Sequence, residues 1–302
     1  MNPNTKETTD WQFSVFSNIK PKSGPFTVIA SDQQGNQQGA RICLGVVIPV
    51  FNEVGTIEHA LGQVLAQFCV MEVIVVDDGS TDGTSFVVQA WTAKDARVTL
   101  IRHPANRGKG ASIRTGLARV KAPIVIIQDA DSEYDPSDYR WLIEPILQGR
   151  VDVVYGSRFM RGANPHTDKR HRLQNRLLTA FANLLTGLKL TDEATCYKVF
   201  RRELIERLDL QEDRFGFCPE FTVKVSRMGL MIKEVPISYR ARSISEGKKL
   251  RFWDGVDAIR CLIKYSFICR NGFGNLSRGA TTVEREGDQA ATERRSDTHF
   301  FQ

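Results

Sequence analysis

Residues 72–83 read EVIVVDDGSTDG, and this stretch decides the fold class. Its first five residues are mostly β-branched and apolar, which is typical of a strand buried on both faces. Asp77 and Asp78 follow this strand, and a turn rich in glycine and serine then leads into a helical pattern at residues 84–93. A strand, a tight turn and a helix in this order predict one unit of a parallel α/β sheet.

The same alternation extends along the chain in both directions. Further buried strands are predicted at 46–50, 98–102, 124–128 and 151–155. Helices are predicted at 57–68, at 110–120 and after an N-cap at Ser137, with Trp141 on the apolar face of the last one. We therefore expect an α/β fold with a mainly parallel central sheet and helices on both faces.

Composition limits the class of protein. The 302 residues are 41% hydrophobic and 25% charged, which excludes collagen-like and fully disordered chains. We expect one folded body at 41–270 between polar, flexible tails at 1–40 and 271–302. No run approaches the ~18 apolar residues of a membrane span, and no apolar signal segment is seen, so a cytoplasmic location is expected. The six cysteines form no CxxC pair, which argues against a zinc site or a disulfide framework.

Positive charge is clustered rather than spread. The net charge is +6, and residues 150–176 and 240–251 are rich in arginine and lysine. Such clusters favour a polyanionic partner, for example phosphates or an anionic membrane surface, although a solvated basic face explains either cluster equally well. No nucleic-acid-binding motif is present, so we expect no nucleic-acid partner.

Acidic side chains follow the strands at the predicted ligand-binding edge of the sheet. Ligands of parallel α/β sheets bind at the carboxyl ends of the strands. Asp129 and Asp131 come directly after the strand at 124–128, and Glu133 lies two residues further on. Oxygen-only ligands suit Mg²⁺ or Mn²⁺, which substrate phosphates usually share. We therefore predict a metal site formed by Asp129, Asp131 and Glu133.

A glycine-containing loop precedes the helix at 110–120. Residues 106–110 read NRGKG and resemble a phosphate-cradling loop at a helix N-terminus. The P-loop pattern GxxxxGK[ST] is absent, so this loop gives supporting evidence only.

These motifs together resemble a known family. VVIPVFNE at 46–53, VVDDGSTD at 75–82, NRGKG at 106–110 and DAD at 129–131 occur in the order and spacing of family-two glycosyltransferases. The resemblance covers roughly residues 42–268 and implies the GT-A fold, a nucleotide-sugar-binding α/β architecture. YGSRF at 155–159 and GKKL at 247–250 are similar to the dolichol-phosphate mannosyltransferase and polyprenyl-phosphate hexosyltransferase branch.

The resemblance also implies roles for individual residues in binding the donor. The residues expected to line the nucleotide-sugar site are Pro49, Phe51, Glu53, Val76, Asp78, Asp129, Ala130, Asp131, Arg158, Arg242 and Lys249. Of these, Asp131 and Arg158 are expected to be catalytic, because they would act on the diphosphate and on the donor and acceptor phosphates. Arg240 is an alternative to Arg242, because the local spacing differs from the family pattern by one residue.

The implied reaction is an inverting transfer of a hexose, mannose or glucose, from a nucleotide diphosphate sugar to a polyprenyl or dolichyl phosphate at the membrane. The stretch 254–269 places Val256 and Ile263 near one helical face, with Arg260 and Lys264 available for lipid headgroups, which favours a peripheral, membrane-facing helix. Packing of this helix on the body is the alternative. Two other functions stay open, namely transfer to a soluble sugar acceptor and a non-catalytic nucleotide- or nucleic-acid-binding module.

Overall fold

The predicted strands form a seven-stranded central sheet. The computed structural model describes residues 27–31, 37–41, 43–160, 169–241 and 252–272. Two short strands, β1 (Thr27–Ser31) and β2 (Gln37–Arg41), pair only with each other, antiparallel. The strands of the central sheet are β3 (Leu44–Val50), β4 (Val70–Asp77), β5 (Val98–Arg102), β6 (Ile124–Ile127), β7 (Val153–Ser157), β8 (Lys198–Arg201) and β9 (Ile232–Pro236).

The sheet is mainly parallel, as the sequence predicts. Its strand order is β5-β4-β3-β6-β8-β7-β9. The four strands β5, β4, β3 and β6 run parallel to one another, and β7 is parallel to β9. Only β8, among these seven, is antiparallel to the strands on both its sides. Its four residues, KVFR, are too short and too charged at the ends to give a periodic signal, so the sequence did not predict it.

Helices connect the strands. In chain order they are α1 (Ile57–Leu65), α2 (Thr84–Lys94), α3 (Lys109–Leu117), α4 (Tyr139–Leu147), α5 (Lys169–Thr186), α6 (Leu204–Leu208), α7 (Phe217–Arg227) and α8 (Phe252–Gly272). The α5, α7 and α8 helices pack together around a second apolar cluster that contains Ala182, Val223 and Leu262. The main core lies around the central sheet, whose strands β3 and β6 have fully buried side chains at most positions.

Two details of α4 differ from the prediction. Ser137 does not act as the N-cap, because the Asp135 side chain accepts a hydrogen bond from the Ser137 backbone N–H and starts a 3₁₀ turn before the helix. Trp141 is 49% exposed instead of facing the core. Its ring lies under the Arg140 guanidinium, 4.4 Å from the centroid, which lets the indole stay at the surface.

Part of the predicted N-terminal tail is paired β-structure, since β1 and most of β2 lie within residues 1–40. The rest of that segment and residues 273–302 lie outside the described residues, so the boundaries of the folded body stay a prediction. In the described part of the chain, no helix is long and apolar enough to cross a bilayer.

The register of the parallel strands brings three loops to one edge of the sheet. Val47 pairs with Ile127 of β6, and Val50 at the end of β3 pairs with Asp77 at the end of β4. The chain therefore leaves β3, β4 and β6 on the same side, where parallel α/β sheets bind their ligands.

Candidate active site

The loops after β3 and β4 are joined by hydrogen bonds. The backbone N–H of Asn52 donates to Ser80 Oγ at 2.9 Å, and Asn52 Oδ1 accepts from the Thr81 N–H at 2.9 Å. Asn52 has a positive φ of 52°, a conformation that asparagine tolerates better than most residues. The Glu53 N–H donates to Thr84 Oγ1. These contacts make one continuous rim from the two predicted motifs.

Asp77 and Asp78 are both buried, and they do different work. Asp77 accepts from the Ser80 N–H and from the Ser85 hydroxyl, which fixes the turn before α2. Asp78 accepts from the backbone N–H groups of Arg107 at 2.9 Å and Gly108 at 2.7 Å. A ring nitrogen of His103 lies 2.7 Å from the same Asp78 carboxylate. In this conformation Asp78 anchors the loop at 106–110.

The two glycines of that loop make room for another segment of backbone. A Cβ on Gly108 or on Gly110 would overlap carbonyl oxygens of residues 212–214. The Ala111 N–H donates to the Asp213 carbonyl oxygen at 2.9 Å, so part of the α3 N-terminus is already satisfied by protein. Close packing therefore explains the two glycines. In the described conformation the loop packs against residues 212–214, and it does not form an open phosphate-binding loop.

The acidic motif after β6 lies beside a lysine from this loop. Lys109 Nζ is 2.6 Å from Asp129 Oδ1, and it lies 3.8 Å from the Cys196 sulfur. Burial opposes the charge of Lys109, but Asp129 more than offsets this and holds the pKa of Lys109 well above its ordinary value. Asp131 Oδ1 accepts from the Glu133 N–H at 3.2 Å, and the Glu133 carboxylate accepts from the Tyr239 hydroxyl at 2.8 Å.

These residues suit a hard divalent cation. Asp129 and Asp131 offer only oxygen ligands, and Asp129 already holds one cation, the Lys109 ammonium, at hydrogen-bond distance. Ligand atoms of Asp129, Asp131 and Glu133 do not all lie within 4.8 Å of one another. Mg²⁺ commonly uses one or two carboxylates and takes its remaining ligands from phosphates and water, so the pair is sufficient.

Elsewhere in the described part of the chain, one group of side chains has converging ligand atoms. Glu212, Asp257 and Cys261 present ligand atoms within 4.8 Å of one another. Glu212 is ion-paired with Arg260 at 3.0 Å and with Lys264 at 2.8 Å. Because two cations already neutralise this carboxylate, the group serves to hold α8 rather than a metal.

Arg158, predicted to bind phosphates, is fixed by a buried carboxylate. Its Nε and Nη2 donate to the two oxygens of Asp192 at 2.7 and 2.8 Å, and its backbone N–H donates to the same residue. Asn175 of α5 also donates to Asp192, at 2.8 Å. Burial opposes ionisation of Asp192, but Arg158 and these donors outweigh it, so the pKa of Asp192 lies below its ordinary value. The bidentate contact fixes the plane of the guanidinium.

Aromatic side chains join this arginine to the acidic motif. The Arg158 guanidinium lies 5.1 Å from the centroid of the Tyr239 ring, and the Tyr239 hydroxyl donates to Glu133. Tyr134 packs edge-on against Tyr239, with centroids 5.2 Å apart, and its hydroxyl accepts from the Cys196 N–H. Arg158, Glu133 and the Asp129–Lys109 pair therefore belong to one continuous cluster.

Cys196 is not built as a nucleophile. It is buried, and burial raises the pKa of its thiol well above the ordinary value despite the nearby Lys109. Its sulfur also lies 3.7 Å from the Ile127 carbonyl oxygen. These features agree with a structural thiol.

The remaining predicted site residues fall into three groups. Pro49, Phe51 and Glu53 are half-buried at the end of β3 and in the loop after it, where a ligand could reach them. Val76 and Ala130 are buried at the ends of β4 and β6. Arg242 and Lys249 lie outside the described residues.

Comparison with known proteins identifies the family. The model of the family described as Glycosyl transferase family 2 matches residues 45–209, more than half of the chain. This chain belongs to glycosyl transferase family 2. It is therefore a glycosyltransferase, as the motifs predicted.

Two relatives of this family-two chain have informative names. It is 28% identical over 210 residues to undecaprenyl-phosphate mannosyltransferase of Micrococcus luteus, covering 67% of this chain and 85% of that protein. It is 29% identical over 205 residues to dolichyl-phosphate hexose transferase of Haloferax volcanii, covering 66% of this chain and 84% of that protein.

A solved structure supports the GT-A fold. Glucosyl-3-phosphoglycerate synthase of Mycobacterium tuberculosis, in complex with Mg²⁺ and uridine diphosphate, superposes with a TM-score of 0.57 at 25% identity. The match covers 74% of this chain and 79% of that chain. The mostly parallel sheet and its helices match GT-A glycosyltransferases, which confirms the predicted fold class.

Several residues of the cluster were not assigned from the sequence. Asp192 is 34 positions from Arg158, and no local spacing connects them. Lys109 stood inside a quoted motif, but a lysine at a helix start is ordinarily a surface charge. The link through Tyr239 depends on the pairing of Tyr134 with Tyr239, a contact across about a hundred residues.

Proposed function

We propose that this glycosyltransferase moves a hexosyl group, mannose or glucose, from a nucleotide diphosphate sugar to a polyprenyl phosphate, with inversion at the anomeric carbon. One observation carries the proposal: a carboxylate pair suited to a metal and an arginine fixed by a buried aspartate belong to the same cluster. The names of the relatives support the acceptor class. The names of two further relatives refer to mannose and to glucose, so they support a hexose donor without distinguishing between these two sugars.

The donor would bind over the ends of β3, β4 and β6. Asp129 and Asp131 would hold Mg²⁺ or Mn²⁺, which would neutralise the negative charge of the leaving diphosphate. Pro49, Phe51 and Glu53 would line the nucleoside side of this cleft. Asp78 would shape the site by holding the loop at 106–110 through the N–H groups of Arg107 and Gly108.

The acceptor phosphate would bind near Arg158. Asp192 holds this guanidinium through Nε and Nη2, so its plane is set before any ligand arrives. A planar, fixed guanidinium suits the oxygens of a phosphate group. Arg242 and Lys249, from the basic stretch 240–251, would add positive charge on the donor and acceptor phosphates.

The reaction needs no strong base. A phosphate oxygen of the acceptor attacks the anomeric carbon, the bond from that carbon to the diphosphate oxygen breaks, and the nucleoside diphosphate leaves with the electron pair. A phosphate monoester has a second pKa of about 6 and is largely a dianion at neutral pH. Fixed cations would therefore act mainly by orienting the two phosphates for an in-line approach.

A membrane-facing surface would explain how such an enzyme reaches its acceptor. The exposed side of α8 carries Val256, Ile259, Ile263 and Phe267, and the exposed side of the neighbouring α5 carries Leu173, Leu177 and Leu184. The α8 helix also packs on the body through Cys261, Leu262 and Tyr265, which was the alternative expected from the sequence, and its exposed face is available for another contact. We define these seven exposed residues as the two-helix face and assign it to peripheral contact with the cytoplasmic face of a membrane.

A soluble phosphorylated acceptor is the second candidate. It is favoured by the likeness, at 25% identity, to glucosyl-3-phosphoglycerate synthase of Mycobacterium tuberculosis, a structure solved in complex with phosphoglyceric acid. The two candidates use the same arginine and differ in the need for a prenyl chain.

The test is a transfer assay with purified full-length chain, Mn²⁺ or Mg²⁺, and a panel of uridine and guanosine diphosphate sugars. Acceptors are a short prenyl phosphate and 3-phosphoglycerate. We expect turnover with the prenyl phosphate, and turnover with 3-phosphoglycerate alone would favour the second candidate. Asp131→Asn and excess EDTA should each reduce the rate at least a hundredfold, because a metal-borne charge is lost from the transition state.

The matched control is Asp135→Asn. Asp135 lies four residues further along the same loop, is exposed, and caps the 3₁₀ turn, a role that asparagine can also fill. Its rate should stay within about twofold of the wild type. Full activity of Asp131→Asn, or of the wild type in EDTA, would contradict the metal role.

A further inference from the structure

The Lys109 ammonium contacts a carboxylate oxygen of Asp129 that a metal ion would use as a ligand. Its ammonium lies 2.6 Å from Asp129 Oδ1, and both side chains are mostly buried, with 26% and 20% exposed. At this distance a charged pair in a partly buried site is strongly coupled. A divalent cation at Asp129 must therefore displace the ammonium or accept a like charge as its neighbour.

The backbone around Lys109 is held in place by its neighbours. Lys109 is the first residue of α3, and Gly108 and Gly110 on either side of it are pressed against residues 212–214. The Gly108 N–H is held by Asp78, and the Ala111 N–H by the Asp213 carbonyl. The lysine side chain can change rotamer, but its attachment point is fixed beside the acidic motif.

We propose that Lys109 acts as an internal competitor of the metal, so that the divalent cation binds tightly only together with the diphosphate of the donor. The inference rests on the proposed metal site at Asp129 and Asp131. Without a donor, the ammonium neutralises Asp129 and disfavours a second cation. With a donor, the negative charge of the diphosphate offsets the repulsion between the ammonium and the metal, and both cations can stay.

This arrangement has a consequence for the order of binding. A metal that binds weakly alone and tightly with the diphosphate enters the site with the donor and leaves with the nucleoside diphosphate. Lys109 is thus a positioning residue that couples two ligands, and its removal should change metal affinity even when no reaction takes place.

The experiment measures Mn²⁺ binding to the full-length chain by the electron paramagnetic resonance signal of free Mn²⁺, with and without saturating uridine or guanosine diphosphate. The variants are Lys109→Met, Lys109→Gln and Lys109→Arg. Without nucleotide, we expect Lys109→Met and Lys109→Gln to bind Mn²⁺ at least tenfold more tightly than the wild type, and Lys109→Arg to stay within threefold. With nucleotide, the difference between wild type and the neutral variants should shrink to less than threefold.

Arg107→Met is the matched control for a general change of charge. Arg107 is an exposed residue two positions earlier in the same loop, and its backbone N–H, which the variant keeps, donates to Asp78. It should shift Mn²⁺ affinity less than threefold. If Arg107→Met changed Mn²⁺ affinity as much as Lys109→Met does, the effect would come from the overall charge of the protein, and the inference would be wrong.

Two further results separate this inference from the proposed function. Unchanged or weaker Mn²⁺ binding by both neutral variants without nucleotide would overturn the competitor role, while nucleotide-dependent binding by the wild type would leave the metal site standing. A wild type that binds no Mn²⁺ even with either nucleotide would remove the metal site itself. Because two neutral replacements are used, misfolding of one, seen as a lowered thermal midpoint, leaves the other to decide.

Discussion

At the scale of single residues, Asp192 and Asp152 make similar contacts in different surroundings. Asp192 accepts from Arg158 Nε at 2.7 Å, and Asp152 accepts from Arg201 Nε at 2.8 Å. Asp192 is fully buried, whereas the Asp152 side chain is 42% exposed. Removing one partner of a buried pair leaves an uncompensated charge, while exposed pairs contribute little because water and salt screen them.

Asp192→Asn should therefore lower the free energy of unfolding by about 3–5 kcal/mol and reduce transfer. Asp152→Asn should change stability by less than about 1 kcal/mol. Urea unfolding at pH 7 measures both, and the rate with a short prenyl phosphate shows whether Arg158 is still positioned. Equal stability losses in the two variants would show that the buried pair has no special role.

The pH dependence of this pair has a definite sign. The pKa of Asp192 is lowered in the folded state, so its contribution to stability is present above the unfolded value of about 4 and is lost as the pH falls through the folded value. The stability difference between wild type and Asp192→Asn should accordingly be constant above about pH 5 and decrease in more acidic solution.

At the scale of elements, we expect alanine substitution at two helical glycines to change stability in opposite directions. Gly62 of α1 has open space where a Cβ would lie, but a Cβ on Gly116 of α3 would come within 2.5 Å of Val47 Cγ1 in β3. Alanine is a better helix former than glycine, so Gly62→Ala should stabilise by about 0.5–1 kcal/mol. Gly116→Ala should destabilise by about 1–3 kcal/mol, because α3 must move away from the sheet.

Chemical denaturation of the two alanine variants checks this pair. Both substitutions have the same chemistry and both positions lie inside helices, so a difference in sign reports the packing alone. Stabilisation by Gly116→Ala would mean that α3 does not lie as close to β3 as described.

The docking of α8 gives a prediction for acid. Glu212 accepts from Lys264 at 2.8 Å and from the Tyr265 hydroxyl at 2.9 Å, and it pairs with Arg260. Burial opposes ionisation, but these partners lower the pKa of Glu212 to about 2. The carboxylate therefore stabilises the fold above the unfolded value of about 4.3, and this is lost as the pH falls from there to about 2.

Glu212→Gln should be less stable than the wild type by up to ~3 kcal/mol at pH 6, and the gap should close towards pH 2. Thermal unfolding across this pH range measures it. The substitution should not alter how the other carboxylates affect stability as the pH changes. A stability difference between wild type and Glu212→Gln that persists at pH 2 would therefore come from packing rather than from charge.

The sequence predicted elements better than it predicted contacts between them. The strands β3, β4 and β6 were foreseen to within a few residues, because their apolar runs end at the polar residues Asn52, Asp77 and Gln128. The antiparallel strand β8, the exposure of Trp141 and the Asp192–Arg158 pair were not foreseen. Each depends on a partner far along the chain, and periodicity carries no information about such partners.

The site shows the same division. Asp129 and Asp131 were placed correctly at the end of β6, because a strand followed by acids is a local pattern. The contact between the Lys109 ammonium and Asp129 depends on how the start of α3 packs against residues 212–214. No local sequence pattern predicts that packing.

At the scale of the whole molecule, the two-helix face contains the large exposed hydrophobic side chains found at the described positions of α5, α7 and α8. Its residues recur at spacings of three, four or seven along each helix, and each is between 41% and 79% exposed. The α5 sequence contains four lysine and arginine residues and no aspartate or glutamate. Apolar stripes flanked by positive charge are complementary to an anionic lipid surface.

The position of this face fits the proposed acceptor. Asn175 of α5 touches Asp192, which holds Arg158, so the helix connects the arginine cluster with the exposed stripe that contains Leu173 and Leu177. A lipid phosphate bound near Arg158 would have its prenyl chain close to the two-helix face. The face and the site would then recognise two parts of one amphipathic substrate.

The prediction is that the double variant Leu177→Glu, Ile263→Glu loses at least tenfold in binding to phosphatidylglycerol vesicles. Burying each side chain in lipid should contribute roughly 1.5–3 kcal/mol, so the loss of two such contacts corresponds to more than a tenfold change in binding.

Phe86→Glu is the matched control, because Phe86 lies on α2 at 80% exposure, outside the α5–α7–α8 layer. Co-sedimentation at low and high salt separates the apolar part of the binding, which persists, from the part due to Arg172 and Arg176, which salt weakens. Equal binding by the wild type and the double variant would remove the face from membrane contact. If light scattering instead showed a wild-type dimer that the double variant abolishes, the face would belong to an interface between two copies of the chain.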